Sequence, residues 1–144
     1  MCIRDRLKGD DVLRAVADSG GVIGMSAAPH TTVSHAHPAH SLLSVMDHFR
    51  YIVDLVGIDA VGFGPDTLYG DHVGLHTTFA ALLHVDQQTG GPVPRRVPWV
   101  DGLENPTENF GNIAAWLVQE GFTDAEIGKV LGGNVLRALE QIWT

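Results

Sequence analysis

Between Leu42 and Val56 the apolar residues Leu42, Val45, Met46, Phe49, Ile52, Val53 and Val56 return at i, i+3, i+4 and i+7 spacing. That period lays one apolar face along an amphipathic helix of about four turns. Ser41 stands where an N-cap is wanted. Asp47, Arg50 and Asp54 fall on the polar face, spaced for weak surface ion pairs at i+3 and i+4. Gly57 closes the helix as a left-handed C′ residue. Beyond it Ile58, Ala60, Val61 and Phe63 form an apolar run interrupted by glycine, which predicts a buried strand over 58–64. The same order occurs once earlier. Asp10-Asp11 open a helix with Val12, Leu13, Val16 and Ala17 as its stripe, Gly20-Gly21 stop it, and 21–25 predicts a second short strand. Helix, glycine stop and apolar strand in succession describe a parallel α/β unit.

The rest of the chain is punctuated differently. Residues 26–40 read as a loop. Residues 77–85 are weakly helical, and Gly74 argues against extending that helix back to His72. Residues 86–98 read as a long surface loop, because their prolines forbid regular structure. Three helices follow. Asn105-Pro106-Thr107 starts one, with Phe110, Ile113, Ala114, Trp116 and Leu117 as its face and Gly121 as its end. Thr123 to Glu126 is a capping box for a short helix carrying Ile127, Val130 and Leu131, which Gly132-Gly133 terminates. Asn134 is placed to cap the last helix, with Val135, Leu136, Leu139, Ile142 and Trp143 as its stripe. Two strands set against about six helices cannot make a parallel sheet covered on both faces. The missing strands are expected from a partner chain or from a larger α/β protein.

Composition narrows the class. The chain has 144 residues, 44% hydrophobic and 18% charged, a globular profile. A formal charge of −8 gives no support to nucleic-acid binding. Cys2 is the one cysteine, so neither an internal disulfide nor a thiolate zinc site can form. No apolar run approaches the ~20 residues of a membrane span, and no signal-peptide core is present, so a cytoplasmic compartment is the default expectation. Residues 1–6 differ in character from the remainder of the chain and are expected to be a non-native leader joined to a shortened frame, with 7–144 as the C-terminal fragment of a single larger domain.

Three groups of residues could carry chemistry. Asp66 is the first ionisable residue past the second strand, just after Gly64-Pro65. At a strand's carboxyl end it reads either as an active-site carboxylate or as a turn residue bonded to its own backbone. His30, His35, His37 and His40 crowd one loop. Imidazoles suit a transition metal, but that loop holds no carboxylate to orient one, which favours a solvated loop. Asp71, His72 and His76 follow Asp66 closely and could return over it to bind substrate or metal.

The segments D-D-V-L-R-A-V-A-D-S-G-G-V-I-G-M, H-F-R-Y-I-V-D-L-V-G-I-D-A-V-G-F-G-P-D, D-G-L-E-N-P and G-G-N-V-L-R-A-L, in this order, resemble the C-terminal part of the membrane (renal) dipeptidase family of zinc dipeptidases. The resemblance covers 7–144. It implies an α/β fold, the C-terminal portion of a (β/α)8 barrel, with 21–25 and 58–64 as strands seven and eight beneath a terminal helical cover. It implies dipeptide hydrolysis at a two-zinc centre that polarises the carbonyl and activates water, with Asp66 holding the substrate amine and moving a proton. The metal ligands it implies match no position in this chain, so the fragment by itself is expected to be inactive. A substrate-carboxylate arginine is implied just before Leu7, but Arg4 and Arg6 lie in the suspect leader and do not inherit the role. The competing reading is a small non-catalytic α/β module that binds metal through its histidines or completes its sheet with another chain. A dipeptide is the expected partner, and a homo-oligomer is left open.

Overall fold

The computed structural model describes residues 8–28, 32–83 and 97–143. The predicted loop over 86–98 falls almost wholly outside them, as do residues 1–6 and His30.

Helix α1 (Asp10–Asp18) places Asp10 and Asp11 in its first turn and buries Leu13. Strand β1 (Ile23–Met25) follows, then the loop to Ser41 and helix α2 (Leu42–Val56). The Ser41 side chain accepts from the Ser44 N–H, and the Ser44 side chain accepts from the Ser41 N–H, a reciprocal cap. Gly57 leaves the helix at φ +84°. Residues Ile58–Ala60 form a single 3₁₀ turn, not strand, and β2 is confined to Val61–Phe63. The apolar run predicted the burial correctly but not the geometry: a helix that ends on Gly57 needs a turn to swing the chain back into the sheet.

β1 and β2 pair in parallel, with Ile23 opposite Val61, Gly24 opposite Gly62 and Met25 opposite Phe63. All three residues of β2 are buried. That is the pattern of a parallel strand enclosed on both faces. Gly62 is closely packed: a Cβ there would touch Val135 Cγ2 and Val22 Cγ1 at 3.4 Å each.

The apolar face of α2 is the centre of the core. Val45, Met46, Phe49 and Ile52 are buried with Val61, Ile113, Leu117 and Val130. Phe49 stacks against Phe63 at 5.1 Å between ring centroids and meets Trp116 edge-on at 6.4 Å. Phe122 closes the cluster at 5.7 Å from Phe49. Arg50 was expected to pair along its own helix with Asp47 or Asp54. It instead pairs with Glu120 and lies 4.7 Å over the Trp116 ring.

Helix α3 runs His72–Leu83. This corrects the expectation drawn from Gly74. The helix starts at His72 because Asp71 Oδ1 accepts the Val73 N–H at 2.8 Å, and glycine is suited to position 74 because a Cβ there would stand 3.1 Å from Asp71 Oδ2. Helix α4 (Asn109–Gln119) follows an Asn105 turn whose Oδ1 accepts the Thr107 and Glu108 N–H groups at 3.0 and 3.3 Å. The Thr123–Glu126 capping box forms as predicted at the start of α5 (Asp124–Gly128). The segment breaks at the glycine pair as predicted: Gly132 has non-helical backbone angles (φ +159°, ψ −28°), and the chain kinks there before α6 (Asn134–Ile142).

Asn134 is not a cap. It has helical backbone angles (φ −65°, ψ −38°), and its Nδ2 donates to Ile58 O at 2.8 Å and Val61 O at 2.7 Å. Arg137, one turn later, donates to Gly20 O at 2.8 Å and Asp59 O at 3.0 Å. The G-G-N-V-L-R segment thus fastens the last helix to the entrances of both strands. No helix among the described residues is long and apolar enough to cross a membrane.

Candidate functional site

The two strand tips, Met25 and Phe63, open into the two loops that carry most of the candidate residues. Their bases are laced together: Gly64 N–H donates to Met25 O at 3.0 Å, and Ala27 N–H donates to Pro65 O at 2.8 Å. Pro65 is buried and Asp66 is exposed. Asp66 has φ +58°, the one non-glycine residue with positive φ among those described. Aspartate tolerates the left-handed region better than most residues, but such conformations persist where the surroundings hold them and concentrate at functional sites.

After Asp66, Thr67 Oγ1 accepts a hydrogen bond from Asn109 Nδ2, and the Tyr69 hydroxyl meets Thr107 Oγ1. The loop following β2 is therefore held from the start of α4. His72 begins α3 and is only 3% exposed, and its N–H donates to Pro98 O at 3.3 Å. His72 is enclosed while Asp66 faces solvent, so the two do not share one open surface. His76 lies on α3 one turn further on.

The loop following β1 is built more tightly than its sequence suggested. Ser34 and His37 close a turn, with the Ser34 N–H donating to His37 O at 2.9 Å and the His37 N–H donating to Ser34 Oγ at 2.8 Å. Asp47 pins that turn from α2. Its Oδ2 accepts from the Ser34 hydroxyl and lies 2.7 Å from His37 Nδ1. The loop does have a carboxylate to orient an imidazole; it comes from the next helix, ten positions downstream. Asp47 therefore lies partly buried, not on the wet face assigned to it. Partial burial pushes its carboxyl up, but the hydrogen bonds from Ser34 and His37, with charge on His37 and His48, outweigh burial and hold it below the usual carboxylate range.

The neighbouring His48 is 7% exposed and its Nε2 lies 3.1 Å from Val33 O. His40 Nδ1 lies 2.7 Å from the buried Thr32 hydroxyl. His35 is exposed. Asp101 completes the fastening, with its N–H donating to His40 O at 3.0 Å and its carbonyl accepting from the Leu42 N–H at 2.7 Å. Among the described residues no three His, Cys, Asp or Glu side chains converge as a metal site.

Asp47 and Asn109 were not singled out from the sequence. Asp47 carries one signal, a carboxylate one and a half turns into a helix that follows a histidine-bearing loop. Asn109 carries none, since its role depends on a loop 42 positions away.

The sequence of residues 1–85 matches the family described as membrane dipeptidase (peptidase family M19). Two curated relatives are dipeptidase aclJ of Aspergillus oryzae, 28% identical over 142 residues, and dipeptidase ataJ of Aspergillus terreus, 28% identical over 134 residues. These matches cover 99% and 92% of this chain but 27% and 26% of the relatives. The chain thus spans about a quarter of the length of the curated relatives it matches. An amidohydrolase structure from Pseudomonas aeruginosa is similar with a TM-score of 0.74 at 25% identity, covering 96% of this chain and 41% of that one. The probable dipeptidase PvdM of the same organism shares the fold, with a TM-score of 0.61 at 20% identity over 95% of this chain and 41% of that chain.

Proposed function

On the premise that the chain belongs to the membrane dipeptidase family, we propose that it is the C-terminal portion of a (β/α)8-barrel dipeptidase, with β1 and β2 as its last two strands and Asp66 as a catalytic carboxylate. The position and conformation of Asp66 carry this reading: an exposed carboxylate three residues past the tip of a buried parallel strand, held at φ +58°. The carboxyl edge of such strands is where barrel enzymes gather their reacting groups.

In this reading Asp66 does two things. As a carboxylate it attracts the free ammonium group of a dipeptide. As a base it takes a proton while water adds to the scissile carbonyl carbon, then returns that proton to the leaving nitrogen as the C–N bond breaks. The family resemblance implies two zinc ions. The described residues do not fit such a centre, since no three potential ligands converge, so no step here passes through it. We place its ligands in other segments of the whole protein.

The test replaces Asp66 with Asn in the whole dipeptidase. Asparagine tolerates left-handed backbone about as well as aspartate, so the change removes charge and proton transfer with little strain. Dipeptide hydrolysis should fall by about 10²–10⁴-fold. A variant within threefold of the parent enzyme would refute the assignment. Turnover by the 144-residue chain alone with added Zn²⁺ would refute the placement of the ligands elsewhere.

A further inference from the structure

We infer that Asn109 is a positioning residue for Asp66: its amide, by holding Thr67, keeps the catalytic loop in the left-handed conformation that presents the carboxylate. The inference rests on the proposed catalytic role of Asp66.

Asp66 is flanked by two restraints from different parts of the chain. Before it, Pro65 O is held by the Ala27 N–H at 2.8 Å, from the loop following β1. After it, Thr67 Oγ1 is held by Asn109 Nδ2, from the first residue of α4. A non-glycine residue at φ +58° is kept there by what surrounds it. Asp66 itself is exposed, so burial of its side chain does not supply the restraint; of the bonds that hold this loop, the two on Pro65 and Thr67 are those adjoining Asp66 in the chain.

Asn109 is costly at its position. It is 2% exposed, and its Oδ1 has no hydrogen-bond partner among the described residues. A buried amide with one half unsatisfied is worse for folding than an apolar side chain of similar size. Among the described residues the one hydrogen bond its side chain makes is to Thr67. A side chain kept at such a disadvantage for a single bond to the residue next to a strained carboxylate fits a role in placing that carboxylate.

Two variants break the bond from opposite sides. Asn109→Ala removes the donor. Thr67→Val removes the acceptor with almost no change in volume and keeps the test informative if the first variant fails to fold. The first readout is the Asp66 backbone, from HN–Hα coupling and Cα shift in the isotopically labelled 144-residue chain. Both variants should release Asp66 to negative φ; retention of positive φ in the folded Thr67→Val chain overturns the inference whatever the activity. The second readout is a double-mutant cycle in the whole dipeptidase. Asn109→Ala should lower kcat by about tenfold with KM nearly unchanged, and should have almost no further effect on an Asp66→Asn background. An equal loss in both backgrounds overturns the inference, because Asn109 would then act without Asp66. If the parent enzyme hydrolyses no dipeptide, the functional reading fails, and the backbone measurement alone decides the tether.

Discussion

Replacing Asn134 with alanine should cost far more than its place in the first turn of a helix suggests. The side chain is 3% exposed and its Nδ2 serves two carbonyls, Ile58 O at 2.8 Å and Val61 O at 2.7 Å. The two losses are unequal. Ile58 O also accepts the Val61 N–H across the 3₁₀ turn, so it retains a partner and loses about 1 kcal/mol. Val61 is fully buried, and its carbonyl loses a donor that water cannot easily replace, worth about 2 kcal/mol. Alanine is the better helix former and returns about 0.5 kcal/mol. The net loss is about 2.5 kcal/mol, a fall of nearly two orders of magnitude in the folding equilibrium. Urea unfolding followed by tryptophan fluorescence should show a lower midpoint at unchanged slope. Asn134→Asp should lose more, since a carboxylate would face two carbonyl oxygens. A loss under about 0.5 kcal/mol for the alanine variant would refute the reasoning, by showing that solvent or a backbone shift satisfies Val61 O.

Three further outcomes are expected. Phe49→Ala should destabilise the chain by about 3–5 kcal/mol and abolish near-ultraviolet dichroism, because Phe49 is fully buried and joins the rings of Phe63, Trp116 and Phe122; a folded variant with unchanged dichroism would contradict this. Gly102→Ala should lower the thermal midpoint through a loss of about 1–3 kcal/mol, since Gly102 has φ +79° and a Cβ would stand 3.2 Å from Leu42 Cβ. The Asp47 carboxyl is held below its ordinary value of 3.8, so its stabilising effect is complete above that value and disappears as pH falls through the lower folded-state value. Amide exchange over residues 32–40 should accelerate only in that acid range, and Asp47→Asn should remove the acid step; a step centred near neutral pH would assign the anchor to another group.

Much of the fold was legible because it is written locally. The seven apolar positions of α2 repeat with the helical period, so any core that buries one buries all on the same side. Thr123 and Glu126 need only each other to form their box. Asp66 could be placed at a strand's carboxyl end because Gly64 and Pro65 mark that end chemically. Gly74 misled because its helix cost is a propensity averaged over contexts. Here the glycine lies beside the Asp71 side chain that caps the helix.

By itself the sequence determined the periodic elements, their stops, the parallel β–α–β order and the identity of the family, since each depends on residues near one another in the chain. Only the tertiary structure decided what the polar side chains do. Asn134 reaches 73 positions back to a strand carbonyl, Asn109 reaches 42 positions back to the residue beside Asp66, and Asp47 holds a turn of the preceding loop. A hydrogen bond is decided by distance and direction in space, and neither exists until the apolar faces have packed.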